Sequence, residues 1–244
     1  SDLLVTYLEG AGLEVERFTP REGRDSMVAR IEGSDPDAPS LCLMAHTDVV
    51  PVNPDGWSED PFGGEVIDGE VWGRGAIDML NLTSSMAVAF RRLATEGFRP
   101  KGDLIYFGVG DEEAGGVWGA EWMVEHHWDA IAADYVLTEL GGWSSTDDHG
   151  HRTVTVNVGE KGLAWRRLRV HGTPGHGSMP FGADNALIKA AEVGRRLSQY
   201  QPAAHIDDIW RAQVATMNVP EEVRDGLLSS DTIMATIETL PISV

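Results

Sequence analysis

Short apolar runs punctuate the first 140 residues, and stretches of helical periodicity fill the gaps between them. Leu41-Cys-Leu-Met-Ala45, Asp103-Leu-Ile-Tyr-Phe-Gly-Val109 and Tyr135-Val-Leu137 have the length and continuity of strands buried on both faces. Between them, Leu82 to about Glu96 and Trp118 to about His126 carry apolar residues at helical spacing. Asp2–Glu9 reads as a helix closed by Gly10 and Gly12. Strands separated by helices predict an α/β layered domain with a mostly parallel sheet, assigned to residues 1–150.

The pattern then changes. Ser144-Ser-Thr-Asp-Asp-His-Gly150 is polar and is the best linker candidate. Thr153-Val-Thr-Val-Asn-Val158, a Gly159-Glu-Lys-Gly162 turn and Leu163–Val170 alternate with period two, as a hairpin does. A helix is expected from about Ala183 to Leu197, and Ile233–Leu240 alternates like a strand. A smaller α+β unit is therefore expected over residues 151–244. A helix under way at Ser1 and an abrupt stop at Val244 suggest a piece of a longer protein.

Composition narrows the function classes. The chain has 244 residues, with 19 Lys+Arg against 39 Asp+Glu and a formal net charge of −20. Such a chain has little electrostatic reason to bind nucleic acid or anionic lipid. Its apolar runs fall far short of the roughly 18 residues that span a bilayer. The lone cysteine, Cys42, excludes an internal disulfide and a Cys-based zinc finger. It reads as a core thiol and is compatible with a cytoplasmic setting. His126 and His127, near a helix end, are given no role.

Candidate chemistry sits where the strands end. The first run leads into His46, with Asp48 two residues on; the second leads into Asp111-Glu-Glu113; the third leads to Glu139. Asp78 lies in Gly73-Arg-Gly-Ala-Ile-Asp78, just before the long helix. In open α/β sheets, ligands bind beyond the carboxyl ends of the strands. Several carboxylates and an imidazole meeting there would repel one another unless a cation held them. Nitrogen and carboxylate donors without thiolate suit zinc, cobalt or manganese.

These segments carry a resemblance. Ala45-His-Thr-Asp-Val-Val50, Gly73–Asp78, Asp111–Glu113 and Thr138-Glu-Leu-Gly-Gly142 resemble the zinc amidohydrolase family of acetylornithine deacetylase. Succinyl-diaminopimelate desuccinylase, aminoacylase and glutamate carboxypeptidase belong to the same family. The stretch His171-Gly-Thr-Pro-Gly-His-Gly-Ser-Met-Pro180 is similar to the start of that family's lid, or dimerisation, domain. The likeness covers essentially the whole chain. It implies a di-zinc domain interrupted by a lid, acting as a homodimer on small peptides or N-acyl amino acids.

By position, the resemblance implies that Asp78 bridges two zinc ions. His46 and Glu139 would complete the protein ligands of one, and Glu113 would bind the other. Glu112 would be the general base, Asp48 would orient the His46 imidazole, and His176 would reach into the partner subunit's site. The family's final ligand is a histidine in its C-terminal part, which the resemblance places beyond Val244. After Asp78, Met79-Leu80-Asn81 replaces the usual Lys-Gly continuation, which is expected to change the wall of the site. Other readings of the same residues are a zinc aminopeptidase of related architecture and a metal-deficient relative. Trp57 and Trp72 flank the loops, with packing as their expected role, and Asn185 is expected to cap or buttress the lid helix.

Overall fold

Alternation along the strands sorts apolar side chains onto the two faces of one sheet, and helices cover both. The computed structural model describes residues 1–140, 142, 144–146, 150–159, 162 and 165–240. Its contacts divide the chain into Ser1–Ser144 and Ser145–Val244.

In the first unit, α1 (Asp2–Glu9) leads into β1 (Val15–Phe18), β2 (Ser26–Ile31) and β3 (Leu41–His46). A small ribbon of β4 (Val66–Ile67) and β5 (Glu70–Val71) precedes α2 (Leu80–Thr95) and β6 (Leu104–Val109). Then come α3 (Trp122–His126), α4 (Trp128–Ile131) and β7 (Tyr135–Leu137). The sheet has five strands in the order β1-β2-β6-β3-β7. β3 runs parallel to β6 and β7, and only β2 runs against the other four strands. The expected layered, mostly parallel α/β unit is therefore present. The β1–β2 hairpin on its edge is an addition to the sequence reading.

Register explains the layers. Met27, Ala29, Leu43, Ala45, Leu104 and Tyr106 face α1 and α2, against Val5, Leu8, Met86, Ala87 and Phe90. Val28, Cys42, Ile105, Phe107 and Val109 face the other way, against Met123 and Ile131. Each large side chain buried this way contributes about 1.5–3 kcal/mol before cavity effects. β6 is buried at every position, so the strand that carries the loop of Glu112 and Glu113 is centrally anchored. Cys42 lies in this core at 2% exposure, and burial raises its thiol pKa to about 11.

In the second unit, β8 (Ser144–Thr146) pairs with β9 (Arg152–Val154), and α5 (Ala186–Ser198), α6 (Asp208–Thr216), α7 (Glu221–Leu227) and α8 (Ile233–Glu238) follow. The side chain of Asn185 caps α5 by accepting the Leu187 N–H at 2.9 Å. The expected hairpin is not formed among the described residues: only Arg152–Val154 is strand, and its partner lies before it. Val154, Val156 and Val158 are all exposed, so no packed layer rewards extending the ladder. Glu160, Lys161, Leu163 and Ala164 of that hairpin, and Asp147, Asp148 and His149 of the linker, lie outside the described residues.

Ile233–Leu240 is a second correction. Ile233–Glu238 is helical, with Ile233 buried against Val214 and Leu227, and Ile237 and Leu240 packing on the same cluster. Apolar residues at i, i+4 and i+7 satisfied a helix as well as a strand, and the neighbouring helices decided between them.

Candidate metal centre

Three strand ends and one helix start deliver the acidic groups. β3 ends on His46, β6 runs into the turn Glu112–Ala114, Glu139 follows β7, and Asp78 stands two residues before α2. His46 is fixed from below. Its backbone N–H donates to Met79 Sδ at 3.2 Å, and Thr83 Oγ donates to its carbonyl at 2.7 Å. Met79, the first residue of the Met79-Leu80-Asn81 stretch, is buried at 1% exposure and lies under His46.

The His46 ring has a defined orientation. Nδ1 donates to the Asp48 carbonyl oxygen at 2.9 Å, which turns Nε2 toward the carboxylates. Asp78 Oδ1 lies 3.0 Å from Nε2, Glu139 Oε2 at 3.7 Å and Glu112 Oε2 at 3.9 Å. Two overlapping donor groups result: His46 with Asp78 and Glu139, and His46 with Glu112 and Glu113.

Asp48 makes a further connection. Its two carboxylate oxygens accept the backbone N–H groups of Glu112 and Glu113, each at 3.1 Å. The carboxylate stands 3.8 Å from His46 Nδ1, so the contact that holds the ring is the Asp48 carbonyl. This pins the turn that presents both glutamates against the end of β3.

Charges here oppose one another. Burial lowers the His46 pKa, but the hydrogen bonds to Asp48 and Asp78 and the charges of Glu139 and Glu112 outweigh it and raise it. Burial raises Glu112, His46 pulls it back, and the charges of Glu113, Asp48 and Asp78 push it further up. Burial likewise raises Glu139, opposed by His46 and reinforced by Asp78 and Glu112. One imidazole proton cannot satisfy three carboxylates, so the donor set is short of positive charge. A divalent cation fits that shortage, and the N/O donors suit it.

A cleft of about 210 Å³ beside the cluster is lined by Val50, Trp57, Arg74, Ile77, Asp78 and Glu113. The Arg74 guanidinium stacks 5.3 Å over the Trp57 ring. Trp57 thus lines the cleft, and Trp72 does not.

His176 belongs to the second unit, on an exposed glycine-rich turn. Its Nδ1 lies 2.7 Å from Ser178 Oγ and accepts the Ser178 N–H at 3.3 Å. An accepting Nδ1 puts the ring proton on Nε2, leaving an outward donor. The structure brings His46, Asp78, Glu112, Glu113 and Glu139 together with Asp48 beside them, and sequence reasoning missed Thr83, which holds the His46 carbonyl.

A family model described as Peptidase family M20/M25/M40 matches residues 42–230. The chain is 33% identical over 212 residues to succinyl-diaminopimelate desuccinylase of Parvibaculum lavamentivorans, covering 81% of this chain and 49% of that protein. It is 36% identical over 184 residues to aminoacylase-1 of Sus scrofa, covering 75% and 44%. The chain thus spans about half the length of the curated relatives it matches. In fold it is similar to an M20 family metallo-carboxypeptidase from Sulfolobus solfataricus, with a TM-score of 0.62 at 20% identity, over 100% of this chain and 55% of that one.

Proposed function

This chain belongs to peptidase family M20/M25/M40, which is metal-dependent, and from that membership we propose that it carries the metal-binding face of an amide hydrolase. The substrates are small peptides or N-acyl amino acids, the classes that the relatives' names describe: a desuccinylase, an aminoacylase and a carboxypeptidase. The observation that carries the reading is the convergence of three carboxylates on His46 Nε2.

In this reading zinc is the resident metal, with two ions per site and cobalt or manganese as substitutes. His46, Asp78 and Glu139, which lie together, would hold one ion, and by the family resemblance Asp78 and Glu113 would contribute to the other. A divalent cation bound there supplies the positive charge that acidifies a water and polarises an amide carbonyl. Glu112, its carboxyl raised by burial and neighbouring charge, accepts a proton from water on Oε2 and passes it to the departing amine nitrogen. Asp48 positions this step: its carbonyl fixes the His46 ring, and its carboxylate fixes the backbone of Glu112.

The second unit acts as the lid and as a homodimer surface. Leu187 and Ile188 of α5 are exposed and favour burial against a second copy. His176 then offers its Nε2–H to charge developing on the carbonyl oxygen in the partner's site. No helix among the described residues is long and apolar enough to cross a membrane. A cytoplasmic setting rests on the single buried thiol, Cys42.

The test is direct. The 244 residues alone are not expected to suffice, so the purified full-length protein loaded with zinc is incubated with a panel of N-acyl amino acids and dipeptides, and amine release is followed. Release that stops with chelator and returns with zinc supports the reading. No release from any member of the panel overturns it.

A further inference from the structure

The loop carrying Glu112 and Glu113 is held by more than Asp48. Residues 19–25, which join β1 to β2, and Ser26 at the start of β2 grip it at a run of points. Gly110 N–H donates to Ser26 Oγ at 3.2 Å. Gly110 also lies so near the Asp25 carbonyl that a Cβ there would stand 2.8 Å from the oxygen. Arg24 Nε pairs with Asp111 Oδ1 at 3.1 Å. The Arg21 guanidinium lies 5.6 Å from the Trp118 ring centroid.

Asp111 is the pivot of this contact. It is buried at 2% exposure and adopts the left-handed conformation, with φ +74°. A non-glycine residue there is strained unless its surroundings over-determine it. Oδ2 accepts the Trp118 N–H at 3.0 Å, and its carbonyl accepts the Gly116 N–H at 2.7 Å. Among the described residues, Arg24 is the cation that pairs with this carboxylate. A buried carboxylate left without its cation is disfavoured, so losing Arg24 favours swinging Asp111 toward water. Relaxing φ at Asp111 re-aims Glu112, the next residue in the chain.

We propose that Arg24 is a positioning residue: through Asp111 it locks the turn that aims Glu112 and Glu113 at the cluster around His46. The inference rests on the amide-hydrolase reading above. Arg24 touches neither glutamate side chain, and it acts on geometry.

The experiment compares wild type with Arg24→Gln, Arg24→Lys, Asp111→Asn and the double variant Arg24→Gln/Asp111→Asn, each made in the full-length protein, purified and zinc-loaded. It measures kcat and KM on an N-acyl amino acid, zinc affinity of the stripped protein by calorimetry, and thermal midpoint. Arg24→Gln is expected to lower kcat about 10–100-fold with KM within about 2-fold, and to weaken zinc about 10-fold. Arg24→Lys should recover part of kcat, since it keeps charge without the planar fork. The double variant Arg24→Gln/Asp111→Asn should fall no lower than about the worse single variant, because both act through one contact.

A lowered midpoint with unchanged kcat and zinc affinity overturns the proposal, as does a loss confined to KM. If Arg24→Gln fails to fold, Arg24→Lys decides by the same readouts. Wild type that binds zinc but hydrolyses no amide defeats the functional reading alone, and zinc affinity then decides the role of Arg24. Wild type that does neither defeats both.

Discussion

The Asp48 carbonyl oxygen accepts the Nδ1 proton of His46 at 2.9 Å, so the residue two positions along the chain sets which nitrogen faces the acidic cluster. The same residue's carboxylate takes the backbone N–H groups of Glu112 and Glu113. Removing the side chain leaves the carbonyl in place. Asp48→Ala should therefore keep the His46 ring and free the glutamate turn, lowering kcat about 10–100-fold. Asp48→Asn, which retains one acceptor oxygen, should fall between. Steady-state kinetics on the zinc-loaded variants checks the order.

Glu112→Gln should retain metal and lose about 10²–10⁴ in turnover, because the amide cannot take up a proton. Elemental analysis beside kinetics separates the two effects. Near-normal turnover would remove Glu112 as the base.

Asp103 ties the start of β6 to β2. It accepts the Gly33 N–H at 2.8 Å and pairs with Arg30 Nη1 at 2.5 Å. The Gly33 hydrogen bond, then Arg30, hold its pKa below the usual carboxylate range. A depressed folded pKa gives stability that is complete above the unfolded value and lost as pH falls through the folded one. Asp103→Asn should cost about 1–2 kcal/mol at pH 7, with the difference narrowing as pH falls below about 4. Denaturant unfolding at a series of pH values reads both.

Cys42 has its thiol pKa raised to about 11 by burial, so the thiolate is scarce at pH 8. Alkylating reagent at pH 8 should label it only after denaturant is added. Mass spectrometry of the intact chain follows the reaction. Rapid labelling of the folded chain would contradict the buried position on β3.

The convergence at His46 was legible because His46, Glu112, Glu113 and Glu139 close or follow apolar runs, and Asp78 sits in a glycine-rich turn just before a long helix. The β1–β2 hairpin was harder to see. Val15-Glu-Arg-Phe18 is an edge strand buried mainly at Phe18, so its alternation is faint. Ile233–Leu240 misled because its apolar spacing fits two periods and only packing against α6 and α7 selects one. Arg24 left no sequence signal at all. Its partner Asp111 is distant along the chain, and a pair joined by tertiary structure has no local spacing to read. The carboxylate grip of Asp48 on two backbone N–H groups was hidden for the same reason.

The most direct test of the metal centre is zinc bound per chain after stripping, reloading and desalting, compared across wild type, His46→Ala and Asp78→Ala. Wild type retaining at least one zinc, with both variants losing it while still folded by circular dichroism, is the predicted result. Wild type retaining no more zinc than His46→Ala would contradict the account.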